Sequence, residues 1–149
     1  MMTILKTWER FFKESNAIEG VYVVSDLERQ AAYDFLDLPA VTSYKLAEYV
    51  KATANARLRE QVGMDVRVGD HYPPRGGPRI GMQLSVLLQN INSYPEQWHE
   101  HHLQYEKLHP FTDGNGRSGR LLWLWARLHC GVHPVDGRFL QQFYYDTLR

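Results

Sequence analysis

Cysteine is nearly absent from this chain. Cys130 stands alone, so no internal disulfide can hold the fold, and the usage suits a reducing compartment such as the cytoplasm. Net charge is absent as well: 17 basic side chains offset 17 acidic ones. That removes the electrostatic footprint expected of a nucleic-acid binder or of a protein held on an anionic membrane. Long apolar runs are missing. No segment approaches the ~20 apolar residues of a membrane span, and charges interrupt the N-terminal MMTILKTWERFFKES too early for a signal peptide. Repeats and low-complexity tracts are lacking too. What remains is ordinary. The 149 residues, 44% hydrophobic and 23% charged, suit one domain, 1–149, large enough to bury a core without metal staples.

Apolar spacing predicts helices through most of the chain. Ile4, Trp8, Phe11, Phe12 and Ser15 share a face over 3–18, with Gly20 as a stop. Residues 26–36 and 43–61 read as helices separated by Pro39, with Ser43 as a cap. Met64, Val66 and Val68 alternate with polar residues, which predicts a short strand or hairpin before the Pro- and Gly-rich stretch 73–78. Helical spacing resumes over 79–92. Pro95 suits the first turn of another helix, on which Trp98, His102 and Tyr105 share a face. RLLWLWARLHCG is apolar nearly all round, so it predicts a buried central helix ended by Gly131 and Pro134. A last helix is expected over 139–148. The expected class is all-α with one small β element.

The chemistry concentrates in HPFTDGNGRSGR, residues 109–120. Gly114 and Gly116 permit backbone conformations in which successive amides converge on an anion. The central helix starts just after them, and its N-terminal N–H groups and dipole favour the same ligand. Arg117 and Arg120 project from its first turns, three residues apart. A phosphate chain would satisfy all these groups. Asp113 would repel phosphate unless a cation bridged them, and Mg²⁺ prefers such mixed carboxylate and phosphate ligation. His109 can take a proton near neutral pH. GNGRSG also fits the dinucleotide pattern G-x-G-x-x-G, but that pattern requires a preceding strand, and a helical segment stands there. The phosphate loop G-x-x-x-x-G-K-[ST] is missing. The plainer alternative, a Gly-Asn-Gly turn followed by solvated arginines, explains a few of these features but not their combination.

HPFTDGNGRSGR resembles the Fic motif, H-P-F-x-[D/E]-G-N-G-R-x-x-R, with every fixed position filled. VRVGDHYPP, 66–74, is similar to the flap of Fic domains. His102 stands where many members carry a histidine, and the closing helix with Tyr145 and Leu148 is also similar. The resemblance implies a compact helical bundle with a small β-hairpin flap. It implies transfer of AMP from ATP to a Ser, Thr or Tyr hydroxyl of a protein, with release of pyrophosphate. His109 would be the base and Asp113 the Mg²⁺ ligand. Gly114, Asn115 and Gly116, with Ser118 and Gly119 in the same loop, would cradle the phosphates. Arg117 would contact the phosphate chain and Arg120 would reach the γ-phosphate. Phe111 would anchor the loop. The flap residues Val66, Arg67, Val68, Gly69, Asp70 and His71 would pair with an extended target segment by strand addition. Kinase relatives carry lysine at the position of Gly116, and phosphocholine-transferring relatives carry alanine at that of Gly114. Neither departure occurs here.

A second segment, SNAIEG at 15–20, breaks two local rules. Glu19 continues an apolar helix face, and it sits at a helix C-terminus where the dipole disfavours negative charge. Such violations are expected at functional sites. The segment resembles the Fic inhibitory motif, [S/T]-x-x-x-E-[G/N], in which the glutamate pairs with the second motif arginine, here Arg120. The resemblance therefore implies that helix 3–20, through Ser15 and Glu19, holds the enzyme inactive. Inhibited members also remove AMP, so both directions stay open, as do self-modification and the choice of nucleotide base. A domain that binds nucleotide and transfers nothing is the competing reading, and an intact His109 and Asp113 weigh against it. HEHH, 99–102, lacks a completing cysteine or carboxylate for zinc, so His102 reads as a hydrogen-bonded core residue. Trp123 and Trp125 read as core, and Cys130 as a buried small hydrophobe.

Overall fold

The computed structural model describes residues 2–131, with side chains from Trp8 onward. The order is α1 (Met2–Ile18), α2 (Asp26–Leu36), α3 (Ser43–Ala54), α4 (Pro78–Ser93), a 3₁₀ turn at Pro95–Gln97, α5 (Trp98–Leu108) and α6 (Asn115–His129). The helical class is as expected. No described helix is long and apolar enough to cross a membrane. The expected helix 139–148 and Pro134 lie outside the described residues.

α6 is the axis of the bundle. Leu121 to Ala126 are all buried, and α6 packs against α1, α2, α3 and α5. Such all-round burial suits a helix with no polar face over two turns. Trp123 meets α1, where Phe11 stacks on it at 6.2 Å and 13°. Trp125 sends its Nε1–H to Leu38 O at 3.0 Å, so its polar edge is satisfied inside the core. Phe12 packs edge-on to Tyr33 of α2 at 5.1 Å. α5 crosses α6 at Gly119, where a Cβ would lie 2.8 Å from Glu106 Oε1 and 3.0 Å from Tyr105 Cδ1. Cys130 is half-buried rather than buried, with its Sγ–H on Ala126 O at 3.0 Å.

Two elements differ from expectation. α3 stops at Ala54 instead of 61. Asn55 takes the left-handed conformation, φ 50°, and its N–H caps Lys51 O at 3.0 Å; asparagine tolerates that geometry better than most residues. The chain then runs extended through 57–59. The second difference is the flap. Among the described residues there is no hairpin at Val66, Arg67, Val68, Gly69, Asp70 and His71, only one antiparallel bridge, Val68 to His71. Those two residues exchange both N–H···O bonds, at 2.9 and 2.8 Å, around Gly69 at φ 57°. The ladder has no second rung to add. Pro73 and Pro74 follow without N–H donors, and Arg67 turns its Nε onto Gly69 O at 2.6 Å.

Candidate active site

The site begins where α5 ends. His109 is the C-cap of α5 and adopts φ 49°, ψ 61°, which redirects the chain toward α6. Phe111 follows, fully buried. Its N–H donates to Asn115 Oδ1 at 2.9 Å, and its carbonyl accepts from Asn115 Nδ2 at 2.8 Å. Asn115 thus closes the loop on itself with both ends of its amide. The far side of the loop is clipped to 57–59: Leu58 bridges Phe111, and Thr112 N–H donates to Arg57 O at 2.9 Å.

Gly114 is the N-cap of α6 at φ 76°. A Cβ there would meet Ala54 Cβ at 2.8 Å, so both backbone angle and space demand glycine. Asp113 is exposed and accepts the Gly114 N–H at 2.7 Å through Oδ1. α6 therefore opens with its N-terminal amides at a loop that carries His109 and Asp113. Ser118, fully buried, donates to Gly114 O at 2.8 Å and shares a 2.6 Å hydrogen bond with Tyr105 Oη. Burial drives the Tyr105 pKa upward. Ser118 and Gly119 thus join α6 to α5 beneath the loop.

Both arginines are buried rather than solvated. Arg117 donates through Nη1 to Thr53 O at 3.1 Å. Arg120, 3% exposed, donates through Nε to Ser15 Oγ at 2.8 Å and through Nη2 to Ser15 O at 3.0 Å and Glu19 Oε1 at 2.8 Å. The structure so brings together Ser15, Glu19 and Arg120, more than a hundred residues apart in sequence. Glu19 is not a core residue: its side chain is 39% exposed. It lies one residue past α1, and its carboxylate reaches over the first turn of α6. A Cβ on Gly116 would overlap Glu19 Oε1. The carboxylate therefore lies against the first turn of α6.

The segment before Glu19 is fixed by residues that sequence reasoning passed over. Asn16, buried, donates to Val23 O at 2.9 Å and Glu28 Oε2 at 3.3 Å, and Thr53 Oγ1 donates to the same Glu28 oxygen at 2.6 Å. Glu28 also closes a capping box with Ser25, a pattern visible as S-x-x-E in the sequence. Glu106 was missed as well. Burial pushes its pKa up to about 7, Arg120 opposes that shift, and Glu19 adds to it. Its Oε1 lies 3.7 Å from His102 Nε2. His102 is buried, its Nδ1 sits 3.2 Å from Gly119 O, and burial pulls its pKa down to about 4; it is a core histidine behind the loop.

His109 is half-buried, and its Nδ1 has no hydrogen-bond partner. Its pKa is lowered, mainly by burial, then by Arg59 and His71, with Asp113 and Glu19 acting the other way. A neutral imidazole can accept a proton at its unprotonated ring nitrogen. An apolar groove of about 630 Å³ opens alongside, between α4 and α5, with His71, Pro74, Met82, Val86 and Leu108 among its lining residues.

A family model described as the Fic/DOC family matches residues 43–126. Among curated proteins, the chain is similar to the protein adenylyltransferase Fic of Drosophila virilis, 35% identical over 81 residues. That alignment covers 47% of this chain and 16% of the relative. The protein of the same name from Drosophila willistoni is 37% identical, and that from Aedes aegypti 33%, each covering 47% of this chain and 15% of the relative. The aligned region is thus a small part of those longer proteins.

Proposed function

The chain belongs to the Fic/DOC family, and from that premise we propose that it is a protein adenylyltransferase that moves AMP from ATP to a protein hydroxyl. The observation that carries this reading is the loop 109–120: a neutral imidazole, an exposed carboxylate and a glycine-capped helix N-terminus lie on one short path. The adenylyltransferase names of the similar proteins support it.

In this reading His109 takes the proton of a Ser, Thr or Tyr hydroxyl. The hydroxyl oxygen bonds to the α-phosphorus, the bond to the bridging oxygen breaks, and pyrophosphate leaves. Phosphoryl-group chemistry of this kind is mostly positioning and charge stabilisation. The amides at Asn115 and Gly116 and the guanidinium of Arg117 would supply both, joined by the Gly114 amide once Asp113 Oδ1 releases it; Ser118 and Gly119 would act from below by fixing the helix. Mg²⁺ fits the donor set, since one exposed carboxylate, Asp113, beside a phosphate cradle is the ligation it prefers; when bound it would neutralise phosphate charge. The target segment would run along 66–71 and the groove, which meet at His71 and reach the end of α5 at Leu108.

Glu19 is an internal inhibitor in this account. Its carboxylate holds Arg120 and lies against Gly116, so the nucleotide's terminal phosphate would have to displace it. The test is intact mass after incubation with ATP and Mg²⁺. The increment of one AMP should be largest in Glu19→Ala and absent in His109→Ala. Equal labelling of wild type and Glu19→Ala would sink the inhibitory role, and labelling of His109→Ala would sink the base. Removal of AMP from a modified protein is the second reading, because Glu19 is a carboxylate near the same phosphate cradle that could orient a water.

A further inference from the structure

Arg59 belongs to no motif, yet its guanidinium is fully buried. Among the described residues no carboxylate is in ion-pair contact with it. Its partners are carbonyl oxygens: Nε donates to His109 O at 2.7 Å and Nη2 to Leu108 O at 2.9 Å. Nη1 donates to Pro74 O at 2.8 Å and Met64 O at 3.0 Å. Burying a cation with no carboxylate in contact is costly; burial lowers the Arg59 pKa, and Asp65, beyond ion-pair distance, opposes that shift. Four carbonyl dipoles take the counter-ion's place. Two of them end α5, where the helix dipole is negative.

The residue so held is strained. His109 carries a Cβ in the left-handed region, φ 49°, a geometry that persists only where the surroundings over-determine it. The main chain of Arg59 helps, with its N–H on Pro110 O at 2.9 Å and its carbonyl on Gly77 N–H at 2.9 Å. One side chain therefore joins the end of α5, the turn at Met64 and the proline loop.

We propose that Arg59 is the positioning residue of the site, fixing the backbone of His109 through a four-carbonyl clamp and setting a permanent positive charge near its ring. A nearby cation disfavours protonation of an imidazole. Of the charged groups acting on His109, Arg59 and His71 push in that direction and Asp113 and Glu19 oppose it. Arg59 therefore helps keep the ring in its proton-accepting form. The proposal rests on His109 being the base; the ring titration that tests its charge effect does not.

The ring titration of His109 is followed by NMR in the nucleotide-free chain, with the His109→Ala spectrum assigning the signal and circular dichroism checking helix content. The midpoint should rise in Arg59→Met and stay near wild type in Arg59→Lys, which keeps the charge. AMP transfer should fall about tenfold or more in kcat in both variants, with KM for ATP nearly unchanged, because neither side chain spans four carbonyls. An unchanged midpoint in folded Arg59→Met overturns the charge effect, and wild-type kcat in either variant overturns the clamp. If Arg59→Met does not fold, Arg59→Lys decides by its kcat. A chain that transfers nothing leaves the NMR result standing, so failure of the enzymatic reading and failure of this one are separable.

Discussion

Replacing Glu19 by alanine should lower stability and raise nucleotide affinity at once. The contact removed is one charge-assisted hydrogen bond, 2.8 Å from Arg120 Nη2 to Glu19 Oε1. Such bonds contribute about 1.5–3 kcal/mol when buried. Arg120 is 3% exposed but Glu19 is 39% exposed, so solvent screening brings the figure to about 1–2 kcal/mol. Arg120 keeps Ser15 Oγ and Ser15 O, so it is not stranded, and the stability loss should stay near the low end. If a phosphate must displace the carboxylate, the same 1–2 kcal/mol opposes nucleotide binding in the wild type. Its removal should tighten ATP–Mg²⁺ binding by about 5- to 30-fold. Urea unfolding measures the first quantity and titration calorimetry the second. A merely structural contact would weaken binding or leave it alone. A Glu19→Ala protein that is less stable and binds ATP no more tightly would refute the reasoning.

Three further outcomes follow from the same geometry. Activity that needs neutral His109 is lost as pH falls through its pKa; that value is depressed, so the acid limb of kcat/KM should lie below the ordinary histidine value, and a limb above it would contradict the assignment. Gly114→Ala combines a left-handed backbone, φ 76°, with a Cβ 2.8 Å from Ala54 Cβ; it should cost about 2–4 kcal/mol by urea unfolding, and a loss under 1 kcal/mol would show that α3 and the loop yield easily. Glu106, with its pKa raised to about 7, binds protons more tightly folded than unfolded, so it subtracts stability as pH climbs from about 4.5 to 7. Glu106→Gln should remove that loss and make stability rise more steeply with pH across the window, while the opposing contribution of His102, whose pKa is lowered to about 4, remains; equal slopes would refute it.

How much of this was readable depends on the range of each interaction. α6 was legible because its burial is written in consecutive residues, Leu121 to Ala126. α1, α2, α4 and α5 were legible from apolar spacing. The end of α3 was not, since the stop is Asn55 in a left-handed turn rather than glycine or proline. The hairpin expected at 66–71 followed from alternation and from a resemblance, neither of which reports that prolines leave the ladder one rung long. Within the motif, the sequence suggested the anion cradle but not the inward role of Asn115, because its partner is backbone of Phe111. Glu19 and Arg120 were paired only through a resemblance and a broken helix rule. Arg59 left no local sign: all four of its side-chain partners are main-chain oxygens, the two on α5 about 50 residues away.

The central claim is that AMP, and not a terminal phosphate, is transferred from ATP under restraint by Glu19. Glu19→Ala protein incubated in parallel with ATP labelled at the α- or the γ-phosphorus tests it most directly. The account predicts protein-bound label from the α-phosphorus alone, much reduced in the wild type and abolished by adding His109→Ala. Label from the γ-phosphorus, or equal α-label with and without Glu19, would contradict it.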